Sequence, residues 1–299
     1  MGNGMARNLL KAGHKVLVFD RSKDAVASLV CDGATAAKSV TQLATTPGLS
    51  VLITMLPSND SVRDTYIGSE GILRLPSSEL HAPLLIDSST VDPLLSRELA
   101  AAAAEARLAE SARAPQMVDA PVSGGVAAAS AGTLTFMVGG SANAVGAARP
   151  YLERMGKKVV HCGDAGAGQA TKLCNNLALG VSMAGVAEAL ALGQRLGLDL
   201  RVLSDVFNGA TARCWSSDTY NPVPGVMENV PAARGYKNGF GAALMLKDLG
   251  LAAQAGAACN APLPMSDAAR ELYARLAKHD PTMDFSGVFQ EIFGGKPQV

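Results

Sequence analysis

Short apolar runs alternate with segments of helical periodicity in the first half of the chain. Strands are predicted at residues 15–20, 51–56, 84–87, 117–120, 133–138 and 158–161. Helices are predicted near residues 5–12, 22–30, 59 onward and 93–112. Such alternation predicts a parallel sheet that is covered by helices on both faces.

The second half of the chain has a helical pattern only. The predicted helices lie at residues 169–195, 199–208, 242–258 and 268–278. The fold class is therefore an α/β domain with a parallel sheet over residues 1–163, followed by an all-α domain over residues 164–299.

The segment 169–195 is apolar on nearly every side of the predicted helix, and its charged residues are Lys172, Glu188 and Arg195. A helix of this kind is predicted to be buried. Burial disfavours the charged form of a lysine and suits it to proton exchange near neutral pH. In the alternative, the lysine stem is buried and its ammonium reaches water. Asn176 follows four residues later and so shares the helical face of Lys172.

The overall composition narrows the function classes. The 26 basic and 26 acidic residues give no net charge, which argues against nucleic acid or an anionic membrane as the main partner. Polar residues interrupt the apolar stretch after Lys172, so no membrane span is predicted. The five cysteines and four histidines lack metal-ligand spacing, which predicts free thiols and no metal site.

Four further segments are candidates for chemistry, each with an alternative. Asp20 ends a predicted strand where a carboxylate can bind the ribose of NAD, or it forms a turn. The Ser-Gly-Gly at 123–125 could hold a carboxylate, or form an ordinary serine N-cap. Lys247 and Asp248 lie in a predicted helix, either as candidates for chemistry or as an exposed charge pair. Trp215, the single tryptophan, lies in the core or lines a substrate pocket.

Six motifs follow one another in a specific order. They are Met-Ala-Arg-Asn-Leu at 5–9, Thr-Met-Leu-Pro at 54–57, Asp-Ser-Ser-Thr at 87–90, Asp-Ala-Pro-Val-Ser-Gly-Gly at 119–125, Gly-Ala-Gly-Gln-Ala-Thr-Lys-Leu-Cys-Asn-Asn at 166–176, and Gly-Phe-Gly at 239–241 with Lys-Asp-Leu at 247–249. This order resembles the β-hydroxyacid dehydrogenase family over nearly the whole chain. Residues 213–225 resemble the branch that acts on 3-hydroxyisobutyrate in valine breakdown.

The resemblance implies a Rossmann-like N-terminal domain that binds NAD and a helical domain for substrate binding and oligomerisation. The expected reaction is NAD-dependent oxidation of 3-hydroxyisobutyrate to methylmalonate semialdehyde, with Lys172 as general acid/base and Asn176 orienting the substrate or the lysine. The residues implied to hold the substrate carboxylate are Ser123, Gly124 and Gly125. Those implied to bind NAD are Gly2, Asp20, Leu56, Pro57, Ser61, Thr90 and Lys247. A homodimer or homotetramer in mitochondria is expected.

Two alternatives stay open at this point. One is a related NADPH-dependent semialdehyde or glyoxylate reductase. The other is a non-enzymatic oligomerising module. Members of the family begin with a strand and a G-x-G-x-x-G turn, whereas this sequence starts after both and keeps only Gly2. The expectation is weaker binding of the NAD pyrophosphate and open edges on the two strands that flank the missing one.

Overall fold

The computed structural model describes residues 1–109, 111 and 113–293. It divides into two compact units, Met1–Lys172 and Leu173–Val299. The division falls inside a long helix, nine residues after the boundary expected at residue 163. The assignment of separate roles to residues 1–163 and 164–299 stays a prediction.

The first unit contains two sheets among its described residues. A parallel pair is formed by β1 (Leu17–Val18) and β2 (Thr35–Ala36). The strands of the larger sheet are β3 (Leu52–Thr54), β4 (Leu84–Asp87), β5 (Gln116–Asp119), β6 (Val122–Ser123), β7 (Leu134–Gly139) and β8 (Gly156–Gly163). In the described part of the chain β1 pairs only with β2, and β3 pairs only with β4.

β7 and β8 run opposite to the other strands of the larger sheet. β3, β4 and β5 are parallel, with Leu52 opposite Leu85 and Leu85 opposite Met117, which confirms the prediction for these strands. β7 is antiparallel to β5 and β6 and parallel to β8. The reversal needs no long crossover, because antiparallel strands can be joined by a short connection. The hydrophobic pattern alone did not indicate this reversal.

Helices cover both faces of the larger sheet, as predicted. The helices of the first unit are α1 (Gly2–Lys11), α2 (Lys23–Cys31), α3 (Val40–Ala44), α4 (Asn59–Ile67), α5 (Pro93–Glu105), α6 (Gly125–Ala131) and α7 (Ala142–Met155). Ile86 of β4 packs in one apolar cluster with residues of α1 and α7. Leu85, its neighbour, packs in another with residues of α4 and α5. Alternation along the strand therefore places a core on each face.

Several predicted elements differ in length from the observed ones. The run 15–20 forms only the two-residue strand β1, whereas 84–87 forms β4 with the predicted bounds. α5 ends at Glu105, and the remainder of its predicted range, to residue 112, includes positions outside the described residues. β1 pairs with β2 over two residues only, Leu17 opposite Thr35 and Val18 opposite Ala36.

The second unit is built from helices in its described part. They are α8 (Ala167–Arg195), which begins in the first unit, α9 (Leu200–Gly209), α10 (Trp215–Asp218), α11 (Ala242–Ala258), α12 (Pro264–His279) and α13 (Val288–Phe293). Leu190, Leu249 and Tyr273 are fully buried in its main apolar cluster. The Tyr273 hydroxyl donates to the carbonyl of Gly180 at 3.0 Å, so its one polar group is satisfied inside that cluster.

α8 is not buried on all sides, and the prediction is wrong in this respect. An exposed stripe runs along it, made of Thr171, Cys174, Asn175, Ala178, Gly185, Glu188 and Leu192. By length and composition the helix is long and apolar enough to span a membrane. Half of its apolar 18-residue stretch is nevertheless buried inside the protein. A core helix meets the same criterion. Small residues such as Ala and Gly occur at exposed positions as well as buried ones. The apolar composition of the segment therefore did not indicate that one side of the helix is exposed.

Candidate active site

Buried polar side chains end three neighbouring strands of the larger sheet. Thr54 ends β3, Asp87 ends β4 and Asp119 ends β5, and all three are buried. Asp87 Oδ1 accepts hydrogen bonds from Thr54 Oγ1 at 2.8 Å and from Ser89 Oγ at 2.6 Å. Burial raises the pKa of the Asp87 carboxyl, and these bonds oppose the shift. The network lies at the carboxyl edge of parallel strands, where ligands bind in open α/β sheets.

Ser89 joins the loops that follow β3 and β4. Its Oγ accepts a hydrogen bond from the Leu56 amide at 2.8 Å. Leu56 and Pro57 lie on the first of these loops and Thr90 lies on the second. The structure therefore brings together three residues that the resemblance assigns to NAD.

Ser61 lies in the first turn of α4, directly after the loop that carries Leu56 and Pro57. Its amide donates to Ser58 Oγ, the N-cap of that helix, at 3.2 Å. Ser61 thus lies at the same edge of the sheet as Leu56, Pro57 and Thr90.

The remaining predicted NAD contacts of the first unit lie near β1 and at the start of α1. A Cβ atom added to Gly2 would lie 3.7 Å from the Met55 Cβ, so α1 begins beside the end of β3. Asp20 is exposed, and its Oδ1 accepts the Ser22 amide at 2.8 Å. This hydrogen bond closes a turn, and a turn was the alternative to a ribose contact in the interpretation of Asp20 from the sequence. A ribose contact by Asp20 stays a prediction.

Asp119 fixes the start of α8, the helix that carries Lys172. Its Oδ1 accepts the Gly166 amide at 2.7 Å and its Oδ2 accepts the Gln169 amide at 2.9 Å. Burial raises the pKa of Asp119, whereas these backbone bonds act to lower it. Lys172 follows within the next turn and is 7% exposed, so the expectation of a buried lysine is confirmed.

The Gln169 side chain ties the same helical turn to the loop after β4. Its Oε1 accepts the Val91 amide at 3.1 Å, and its Nε2 donates to the Ser89 carbonyl at 2.8 Å. Gln169 is fully buried. Its two bonds therefore hold the backbone on either side of Thr90.

Glycines allow the close approach of this helix start to the sheet. A Cβ at Gly168 would lie 2.7 Å from Asp119 Oδ2, and one at Gly139 would lie 2.5 Å from Asp119 Oδ1. Gly166 adopts a φ of +85°, and its Cβ would lie 2.7 Å from the Pro93 carbonyl oxygen. Gly166 and Gly168 therefore permit the backbone at the start of α8 to approach its neighbours closely.

The Ser-Gly-Gly motif forms a turn that requires glycine. Ser123 is half-buried on β6 opposite Thr135, and Gly124 and Gly125 have φ values of +132° and +70°. Gly124 is the N-cap of α6 and gives no side-chain cap, so the serine N-cap interpretation is wrong. A carboxylate site at Ser123, Gly124 and Gly125 stays a prediction.

Asp248 links two predicted site residues in the second unit. Asn176 is 2% exposed and its Nδ2 donates to Asp248 Oδ2 at 2.6 Å. Lys247 Nζ lies 3.1 Å from Asp248 Oδ1. Asp248 is 3% exposed, so the interpretation of an exposed charge pair is wrong. The carboxylate orients both an amide and an ammonium.

Sequence reasoning missed the parts played by Asp87, Asp119, Gln169 and Asp248. Each is a polar residue beside or within an apolar stretch, which is the signal that identified Lys172.

Trp215 is 45% exposed, so it is not a core residue. It stacks on Tyr220 with ring centroids 4.5 Å apart.

The residues at the sheet edge fit a dinucleotide. α1 begins at Gly2 beside β3, and a helix N-terminus with a small residue suits a phosphate.

All five cysteines are free thiols, as expected. Within the described ranges, no group of three or more His, Cys, Asp or Glu side chains is arranged to hold a metal ion.

Comparison with known proteins decides the family. Residues 1–163 match the family model described as the NAD binding domain of 6-phosphogluconate dehydrogenase. Residues 166–292 match the model described as NAD-binding of NADP-dependent 3-hydroxyisobutyrate dehydrogenase. The probable mitochondrial 3-hydroxyisobutyrate dehydrogenase of Arabidopsis thaliana is 46% identical, and the match covers 100% of this chain and 86% of that relative. The chain belongs to the 3-hydroxyisobutyrate dehydrogenase family.

Other members of the 3-hydroxyisobutyrate dehydrogenase family show the same extent of similarity. The Pseudomonas aeruginosa enzyme is 47% identical over 99% of this chain and 96% of its own length. The solved structure of the Mycobacterium tuberculosis enzyme with L-serine has a TM-score of 0.85 and 41% identity, covering 97% of this chain and 94% of that one. The family, the Rossmann-like fold class and the NAD-dependent dehydrogenase class predicted from the motifs are confirmed.

Proposed function

We propose that the protein oxidises 3-hydroxyisobutyrate to methylmalonate semialdehyde with NAD, a step of valine degradation within branched-chain amino acid catabolism. The observation that carries this proposal is the buried Lys172, held on a helical turn that is tied to the loop of Thr90. The names of the relatives support the choice of substrate.

Oxidation of the alcohol removes a proton from its hydroxyl oxygen and a hydride from the adjacent carbon. When bound, NAD supplies the hydride acceptor. The neutral amine of Lys172 accepts the hydroxyl proton as general base and returns it as general acid in the reverse direction. Asn176, four residues later on α8, orients the substrate or the amine. Ser123, Gly124 and Gly125 hold the substrate carboxylate through a hydroxyl and backbone amides.

The proposal extends to assembly and location. Large apolar side chains are exposed on α8, α9 and the segment between them, and they support a homodimer or homotetramer; they are Leu192, Leu196, Leu198, Val202 and Val206. Light scattering of the purified protein gives its oligomeric state.

Relatives from Arabidopsis thaliana and Homo sapiens are named mitochondrial, which supports a mitochondrial location. Fractionation of the source cells would test it.

The substitution Lys172→Ala tests the proposed chemistry. We expect the kcat for NADH production from 3-hydroxyisobutyrate to fall by about 10²–10⁴, the usual contribution of a general base, with KM for NAD unchanged. Lys278→Ala is the control, because Lys278 is exposed in the last turn of α12. Full activity of Lys172→Ala would refute the assignment. A wild-type protein that instead reduces glyoxylate or a semialdehyde with NADPH would support the reductase alternative.

A further inference from the structure

We propose that Asp119 and Gln169 are positioning residues that fix Lys172 relative to the loop carrying Thr90. Asp119 holds the start of α8 against the end of β5, and Gln169 sets the separation between that helix and the loop. This inference rests on the proposed function, since it assigns to the pair the task of aligning the general base with the cofactor side of the site.

The cap of α8 comes from a residue that is far away along the chain. The side-chain caps of α2, α3, α4, α5, α7 and α9 come from the residue directly before each helix. At α8 the acceptor is Asp119, which lies 47 and 50 residues before the two amides that it binds through Oδ1 and Oδ2. A local cap would stabilise the helix equally well. A cap from β5 also fixes where the helix lies.

Asp119, the anchor of α8, is itself held in a buried and closely packed position. Asp119 is 3% exposed and belongs to a strand paired with β4 and β7. Gly139 and Gly168 press their backbones against its carboxylate, with no room for a Cβ. A negative charge at a helix N-terminus is also stabilised by the helix dipole. Contacts with β5 and β7 therefore hold the first turn of α8 in one position.

Gln169 connects the first turn of α8 to the loop that carries Thr90. Gln169 reaches 78 and 80 residues back along the chain to the Val91 amide and the Ser89 carbonyl, the backbone groups on either side of Thr90. Lys172 lies three residues after Gln169, on the adjoining part of the same helical face. One buried amide therefore sets the separation between the turn that carries the base and the loop predicted to border NAD. A misplacement of about 1 Å can cost about 10²-fold in rate.

The experiment compares two variants with a matched control. Asp119→Asn keeps the shape of the side chain but replaces one acceptor oxygen by an NH2 group that faces a backbone amide, so donor opposes donor. Gln169→Met keeps the length and removes both hydrogen bonds. Asp199→Asn is the control, because Asp199 Oδ1 caps α9 through the amides of Arg201 and Val202 at 2.7 and 3.3 Å.

Four quantities are measured on the full chain: kcat, KM for NAD, the deuterium isotope effect for substrate labelled at the carbon that loses hydride, and hydrogen exchange of amides 166–172. For Asp119→Asn and Gln169→Met we expect kcat to fall about 10- to 100-fold, with KM for NAD unchanged. We also expect a larger isotope effect and faster exchange. Asp199→Asn should leave all four quantities at the wild-type values, although it lowers the unfolding midpoint.

The outcomes separate this inference from the proposed function. If the wild type oxidises 3-hydroxyisobutyrate and Asp119→Asn retains its kcat and isotope effect, the positioning role is refuted and the function stands. If amides 166–172 exchange at the wild-type rate in both variants, the anchor is refuted whatever the substrate. If the wild type is inactive with this substrate while exchange accelerates in both variants, the function fails and the anchor holds.

Discussion

Charged and polar residues inside apolar helices mark the candidate site at the scale of single residues. A buried charge is costly unless it is paired and hydrogen-bonded, so such residues persist where they have a task. This reasoning identified Lys172 correctly as a buried residue. It applies equally to Asp248 in the apolar helix α11. There the neighbouring Lys247 suggested a surface pair, and only the structure shows the bond from Asn176.

The bond between Asn176 and Asp248 is open to a double-mutant cycle. Asp248→Ala removes the acceptor of the 2.6 Å hydrogen bond from Asn176 Nδ2, and Asn176→Ala removes the donor. We expect a coupling free energy of about 0.5–3 kcal/mol, the range for residues in direct contact. Urea unfolding of the two single variants, the double variant and the wild type measures it. Additive effects within error would show that the bond does not stabilise the fold.

At the scale of elements, the start and the middle of α8 differ in what a methyl group would meet. Gly168 is buried, and its Cβ would collide with the Met137 carbonyl oxygen and lie 2.7 Å from Asp119 Oδ2. Gly185 is exposed on the same helix, and its Cβ would have no neighbour within 4 Å. One glycine is therefore required by packing, whereas the other only lowers the helix propensity.

We expect Gly168→Ala and Gly185→Ala to change stability in opposite directions. Gly168→Ala forces the helix away from β5 and should destabilise the fold by about 1–3 kcal/mol, as overpacking does. Gly185→Ala should stabilise it by about 0.5–1 kcal/mol, since alanine loses less conformational entropy in a helix. Chemical denaturation of both variants checks the signs. A stabilising Gly168→Ala would contradict the tight contact at the helix start.

At the scale of the whole molecule, local patterns predicted the elements but not their long-range contacts. The run at 84–87 predicted β4 because every position there is apolar until Asp87. The reversal of direction between β5 and β7 depends on how the chain returns to the sheet, which periodicity does not encode. The bond from Gly166 to Asp119 joins residues 47 positions apart. Each carries a local signal, but nothing local indicates that they meet.

Cofactor choice is a property of the whole molecule that ligand-dependent unfolding can test. A ligand that binds only the native state raises the free energy of unfolding by about 2.7 kcal/mol when its concentration is 100 times its Kd. Asp20 is exposed two residues after β1. A carboxylate there repels the 2′-phosphate of NADP but accepts a hydrogen bond from the ribose of NAD. We therefore expect NAD to raise the thermal midpoint more than NADP does at equal concentration. Asp20→Ala should narrow that difference, whereas Lys278→Ala should preserve it. A larger shift with NADP would contradict the role of Asp20, and no shift with either would contradict cofactor binding by this chain.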